Sequence, residues 1–159
     1  MGSKGAFNET IRGILNLASF NNPIEVRTVI IRQTYDKLSR ISEFVYRNLT
    51  FTRHVAFMGL ETIVRWQQHL NSLWVEPEKI IHPLEEAIHS LVQRGMATSI
   101  YNIPLCLLPR NLKRFARRSI SEWKDSFDLK CSGCSLKGQC SGVFESTIEL
   151  YRHHIKPVP

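Results

Sequence analysis

Three of the chain's four cysteines fall within ten residues, in Cys131-Ser132-Gly133-Cys134, then Ser135 to Gln139, then Cys140-Ser141-Gly142. The pattern Cys-x2-Cys-x5-Cys-x-Gly restricts the fold more than any other stretch. Thiols at these intervals, interleaved with Gly133, Gly138 and Gly142, can meet at one point only if the loop turns tightly; glycine permits such turns. The fourth cysteine, Cys106, lies upstream in Pro104-Leu105-Cys106-Leu107-Leu108. Four thiolates suit an iron–sulfur cluster or a structural zinc, and the spacing does not choose between them. Disulfides or unliganded thiols are the alternatives. No secretory leader pattern is visible. A reducing, cytoplasmic location is therefore expected, where clustered cysteines serve metals more often than disulfides.

The 159 residues are enough for one modest domain with a real core. No apolar run approaches the length that spans a bilayer, so no membrane partner is expected. The net charge of +7 allows an acidic partner without requiring nucleic acid. Much of the excess sits in Arg110, Lys113, Arg114, Arg117 and Arg118. There is no internal repeat.

In chain order, Asn8 is placed to cap a helix carrying Ile11, Ile14, Leu15 and Ala18, which stops near Asn21-Asn22-Pro23. Residues 24–31, rich in β-branched side chains, read as a buried parallel strand. Arg27 interrupts it. A charge there is costly unless paired, so Arg27 either lies toward solvent or pairs with Glu25, or else it holds an anionic group in a polar pocket. Leu38, Ile41, Phe44, Val45 and Leu49 recur at helical spacing, and residues 54–60 read as a second strand in which His54 and Met58 are expected to pack rather than to act as ligands. Strand, helix, strand makes a βαβ unit and implies a right-handed crossover.

Trp66, Leu70, Leu73 and Trp74 are expected in the core, with the lining of a groove as the alternative. Pro83 is placed at a helix start, with Glu85 and Glu86 in the first turn and Gly95 just past the end. Residues 97–103 are a third strand that delivers Cys106 just beyond its C-terminal end, where α/β folds collect ligands. Residues 110–124 read either as a helix with Phe115 and Trp123 packed inward or as a cradle for a peptide or an acidic partner. His153 and His154 could bind metal, one of them in place of Cys106, but as terminal residues they are expected to be exposed.

Several stretches together resemble the C-terminal half of a radical S-adenosylmethionine enzyme, and most closely the C-type maturase of the His-Xaa-Ser peptide-modification system. They are residues 4–11, the strand Glu25-Val26-Arg27-Thr28-Val29-Ile30, His54-Val55-Ala56-Phe57-Met58-Gly59-Leu60-Glu61, Ser99-Ile100-Tyr101-Asn102 with Leu105-Cys106, and Phe115 to Lys124 with its Ser-Ile-Ser-Glu-Trp-Lys run. The resemblance implies an α/β fold: the C-terminal part of a partial (β/α)6 barrel over residues 1–103, then a cysteine-rich extension over 104–159. It implies an auxiliary [4Fe–4S] cluster on Cys106, Cys131, Cys134 and Cys140, with zinc the alternative, and S-adenosylmethionine contacted by Arg27 in the complete enzyme. The substrate would be a precursor peptide with His-Xaa-Ser repeats. The family's Cys-x3-Cys-x2-Cys motif is absent from this chain. A preceding half or a separate chain is therefore expected to complete the barrel, and this chain alone to be inactive. A zinc-stapled basic module binding peptide or nucleic acid is the competing expectation.

Overall fold

The computed structural model describes residues 4–61, 70–119 and 125–159. Its frame is a sheet of four parallel strands in sequence order: β1 (Glu25–Val29), β2 (His54–Met58), β3 (Thr98–Tyr101) and β4 (Ala116–Arg117). The register sets Val26 beside Val55 and Thr28 beside Phe57 on one side of β2, and Thr98 beside Val55 and Ile100 beside Phe57 on the other. Side chains alternate across a pleated sheet, so these residues share one face. That face meets helices α2 (Leu38–Asn48) and α4 (Pro77–Gln93). Leu38, Val45, Leu84, Ile88 and Leu91 are buried there with Val55, Phe57 and Ile100. Fully burying each such side chain is worth about 1.5–3 kcal/mol, so this layer supplies most of the stability. Among the described residues no helix is long and apolar enough to cross a membrane.

The expected strands and the α/β frame are present, but β1, expected to be buried, is an edge strand of alternating exposed and half-buried residues because nothing described pairs with its outer side, and several element limits differ. Helix α1 (Ala6–Ser19) starts after Gly5, whose φ is 93°, and Asn8 lies inside it rather than capping it. The helix expected to start at Pro83 starts at Pro77, so Glu78, not Glu85 or Glu86, lies in its first turn and Pro83 is internal. An internal proline forfeits one helix hydrogen bond. Burial of Ile80 before it and Leu84 after it outweighs the loss. The helix ends as expected: Gly95 has φ 76° and Met96 N–H bonds to Leu91 O at 3.0 Å, a left-handed C-terminal cap. The helix expected over 110–124 is one turn, α5 (Arg110–Lys113), followed by β4 beside β3. The sheet thus extends beyond residue 104. Phe115 packs against the core; Trp66 and Trp123 lie outside the described residues.

Beyond β4 the chain is built from short turns. These are 3-10 turns at Leu129–Gly133, Lys137–Gln139 and Glu145–Thr147, and the short helix α6 (Ile148–Tyr151). A second, smaller apolar cluster joins this lobe to the C-terminal ends of the strands. It holds Leu60, Leu73, Trp74, Val143, Tyr151 and Ile155, with Leu73 on the short helix α3 (Leu70–Leu73). Trp74 and Tyr151 meet edge-on at 4.8 Å. Gly59 closes the approach. A Cβ there would sit 2.2 Å from Asn102 O, so β2 and β3 could not lie this close with any other residue.

Candidate metal centre

The loop that carries three of the cysteines is pinched shut at its base. Ser126 and Val143 exchange both backbone hydrogen bonds, at 2.8 and 3.0 Å, as an isolated antiparallel bridge. Gly142 makes the pinch possible. Its φ is 55°, and a Cβ would lie 2.4 Å from Ser126 O. That is the physical reason for the glycine two residues after Cys140. Inside the loop Asp128 starts the first turn by accepting from Lys130 N–H at 2.9 Å, and its other oxygen takes Arg152 Nε at 3.0 Å. These donors hold the buried Asp128 carboxyl below its ordinary range, the Lys130 N–H most of all. Ser141 Oγ donates to Ile103 O at 3.0 Å and ties the loop to the exit of β3.

Cys106, Cys131, Cys134 and Cys140 all line one narrow, partly open hollow. Its remaining walls are mainly apolar and include Pro104, Phe127, Val143 and Ile155. Backbone donors point at the sulfurs. Leu105 N–H and Gly142 N–H lie 3.3 and 3.4 Å from Cys140 Sγ, and Val158 N–H lies 3.4 Å from Cys134 Sγ. Burial pushes the Cys106 thiol up, opposed by the Lys156 backbone donor and reinforced by Cys140 and Cys134. Burial likewise raises Cys131, with the neighbouring thiols adding to it. Four thiols gathered in an apolar hollow repel one another once ionised, so a cation at their centre is what would hold them as thiolates. All four free cysteines named by the sequence are therefore brought together, Cys140 buried and the others half-buried.

The C-terminal segment forms part of the wall. Ser135 N–H bonds to Val158 O at 2.9 Å, and Ile155, Pro157 and Val158 face the cavity. It is fastened by His154, whose Nδ1 is 2.8 Å from Glu78 and whose Nε2 is 3.0 Å from Glu76. Among the described residues these three form the one group of His, Cys, Asp or Glu side chains whose ligand atoms all lie within 4.8 Å of one another. Sequence reasoning placed His154 as exposed; it is half-buried, while His153 is exposed.

Arg27 does not stand alone. Its guanidinium is paired with Glu25 and lies 5.9 Å from the centre of the Tyr101 ring. Glu25 also accepts from His54: Oε2 to Nδ1 is 2.7 Å, and His54 Nε2 is 2.8 Å from Ser99 Oγ. Burial pushes the Glu25 carboxyl up, but hydrogen bonds from Arg27 and His54 leave it below its ordinary range. This row lies on the sheet face opposite α2 and α4, with one member each from β1, β2 and β3 beside Arg27. The sequence showed Glu25 and His54 only as separate residues. The signal was their place at the first position of two consecutive strands, which the register sets side by side.

No family model matches the chain, nor does any curated protein or solved structure.

Proposed function

We propose that this chain is the C-terminal half of a radical S-adenosylmethionine peptide maturase. In this reading Cys106, Cys131, Cys134 and Cys140 hold an auxiliary [4Fe–4S] cluster, and the substrate is a His-Xaa-Ser-type precursor peptide. The carrying observation is the convergence of all four thiols on one apolar cavity, with backbone N–H groups directed at Cys134 and Cys140. When bound, the cluster supplies electron transfer or a point of substrate attachment. The chain's own residues hold the thiols, exclude water through Phe127, Val143 and Ile155, and tune the sulfurs through backbone donors.

The choice of a cluster over zinc rests on the resemblance to the maturase family; the structure contributes the four thiols on one hollow. Strand order is a second support: parallel strands in sequence order with helices on one face suit a singly wound barrel, whereas a doubly wound sheet carries helices on both faces. Exposed apolar residues are a third. Phe7 and Phe20 on and beside α1 are 64% and 79% exposed, and Val29 at the end of the edge strand β1 is 42% exposed. Such surfaces suit a missing first half of the barrel. That half would carry the cluster that cleaves S-adenosylmethionine. Arg27 would meet an anionic group of that cofactor by sharing or exchanging its pairing with Glu25.

The test is metal and sulfide content with the optical spectrum, on protein purified without oxygen. About four irons and four sulfides per chain, with broad absorbance that bleaches on reduction, is the expected result. About one zinc and no sulfide would overturn the cluster assignment. Cleavage of S-adenosylmethionine by this chain alone would overturn its placement as the half without the radical cluster.

A further inference from the structure

Behind the thiol cavity lies a second hollow. It is lined by Leu105, Lys113, Arg114, Ala116, Arg117, Leu136 and Gln139, with about 680 Å³ of space counted out to its open side. Leu105 and Leu136 also line the thiol cavity, so the two spaces share a wall. Three cations face this groove and no carboxylate does. Several cations elsewhere on the molecule have an acid beside them: Arg27 has Glu25, Arg94 has Glu43, Arg118 has Asp125 and Arg152 has Asp128. Among the described residues Lys113, Arg114 and Arg117 form no ion pair. Arg117 Nη1 is instead turned onto the carbonyls of Arg114 and Ala116 at 2.8 and 2.9 Å, which fixes its guanidinium at the rim. Like charges gathered this way repel one another and raise the local attraction for an anion.

We infer that this groove binds a carboxylate-rich peptide segment. The composition of its walls selects the occupant. Leu105, Leu136 and Ala116 offer apolar contact to the aliphatic stems of Glu or Asp side chains, while the three cations meet their carboxylates. Nucleic acid is disfavoured, because single strands are held by aromatic platforms along a charged track, and no aromatic side chain lines the groove. The inference stands apart from the cluster, since every wall is protein. If both hold, the segment would be delivered beside the thiol cavity. Sequence reasoning had the ingredients in the basic run 110–118. The fold removes Arg110 and Arg118 from the groove, the latter by pairing it with Asp125, and concentrates the other three cations.

The experiment is fluorescence anisotropy on the full chain with a labelled peptide of alternating Glu and Ala. Competitors are the same peptide with Gln for Glu and a single-stranded RNA of equal charge. The Lys113→Glu, Arg114→Glu double variant keeps the Arg117 backbone bonds and is expected to weaken the acidic peptide about tenfold or more. The Arg12→Glu, Arg53→Glu variant, with the same change of net charge on exposed positions outside the groove, is expected to change it less than about twofold. Lys113→Gln with Arg114→Gln, a milder change, should weaken it by an intermediate factor. Equal weakening by the two Glu variants, no weakening by the groove variants, or tighter binding of the RNA than of the acidic peptide would each overturn the inference.

Discussion

The sheet with its two main helices and the cysteine lobe are held by different forces. In the first, Val55, Phe57, Leu84 and Ile100 are wholly buried, and stability comes from a continuous apolar layer that tolerates small local changes. In the second, order depends on single contacts: the Ser126–Val143 bridge, the Asp128 caps, and N–H groups aimed at sulfur. Its apolar anchors among the described residues are the small cluster around Trp74 and Tyr151 and the few side chains, Cys140, Phe127 and Leu136, that reach the main core. A region of short turns loses as much chain entropy per residue as a helix does, with less burial to offset it. A ligand at its centre would make up the difference, as structural metals do in small cysteine-rich folds. The strand ends thus give a rigid platform, and the lobe is the part whose stability is expected to depend on what it binds.

That contrast can be broken by mutation. Leu84→Ala removes a fully buried side chain and is expected to cost about 3 kcal/mol. It should move the urea midpoint of the far-ultraviolet transition while leaving metal capacity in native buffer intact. Loss of metal capacity at full secondary structure would show the two regions to be one unit. Gly142→Ala forces φ 55° on a residue with a Cβ that meets Ser126 O at 2.4 Å, a local penalty of about 2 kcal/mol. If the thiols hold a metal as proposed, its loading should fall sharply, with a smaller shift of the far-ultraviolet midpoint than Leu84→Ala gives. A larger shift would place the bridge in the folding core.

Acid should separate the regions without mutation. Asp128 has its folded pKa below the unfolded value. Its contribution is therefore present above the unfolded pKa near 4 and is lost as pH falls through the lower folded value. As pH falls through that lower folded value, hydrogen exchange at Lys130 and Cys131 should rise before exchange in β2 and α4. Simultaneous loss would contradict the separation. The smallest effect belongs to the polar sheet face. His54→Gln removes half-exposed pairings to Glu25 and Ser99 and should cost under about 1 kcal/mol. A larger cost in thermal melts would mean that this row supports the sheet.

Regular elements with strong periodicity were legible: the three long strands, α2, and the end of α4 at Gly95. Limits failed where two signals competed. Pro77 and Pro83 both resemble a helix start, and only burial of Ile80 between them decides for the first. Basic residues at near-helical spacing suggested a long helix from 110. Pairing of Ala116 and Arg117 with Ile100 and Tyr101 wins instead, because a strand edge beside β3 must be satisfied. Glu25, His54 and Ser99 could not be joined from sequence, since strand register comes from the packing of Val26, Val55 and Ile100 against the helices.

The amino-acid sequence alone determined that four thiols were available, that three of them had to share one tight loop, and that the frame alternated strand with helix. These are consequences of local spacing and of which side chains avoid water. Tertiary structure alone decided that Cys106 joins the other three across the exit of β3, that the C-terminal segment donates to Cys134, and that Lys113, Arg114 and Arg117 face one groove without an acid. Those facts depend on distances between residues far apart in the chain, which only the packed core and its register set.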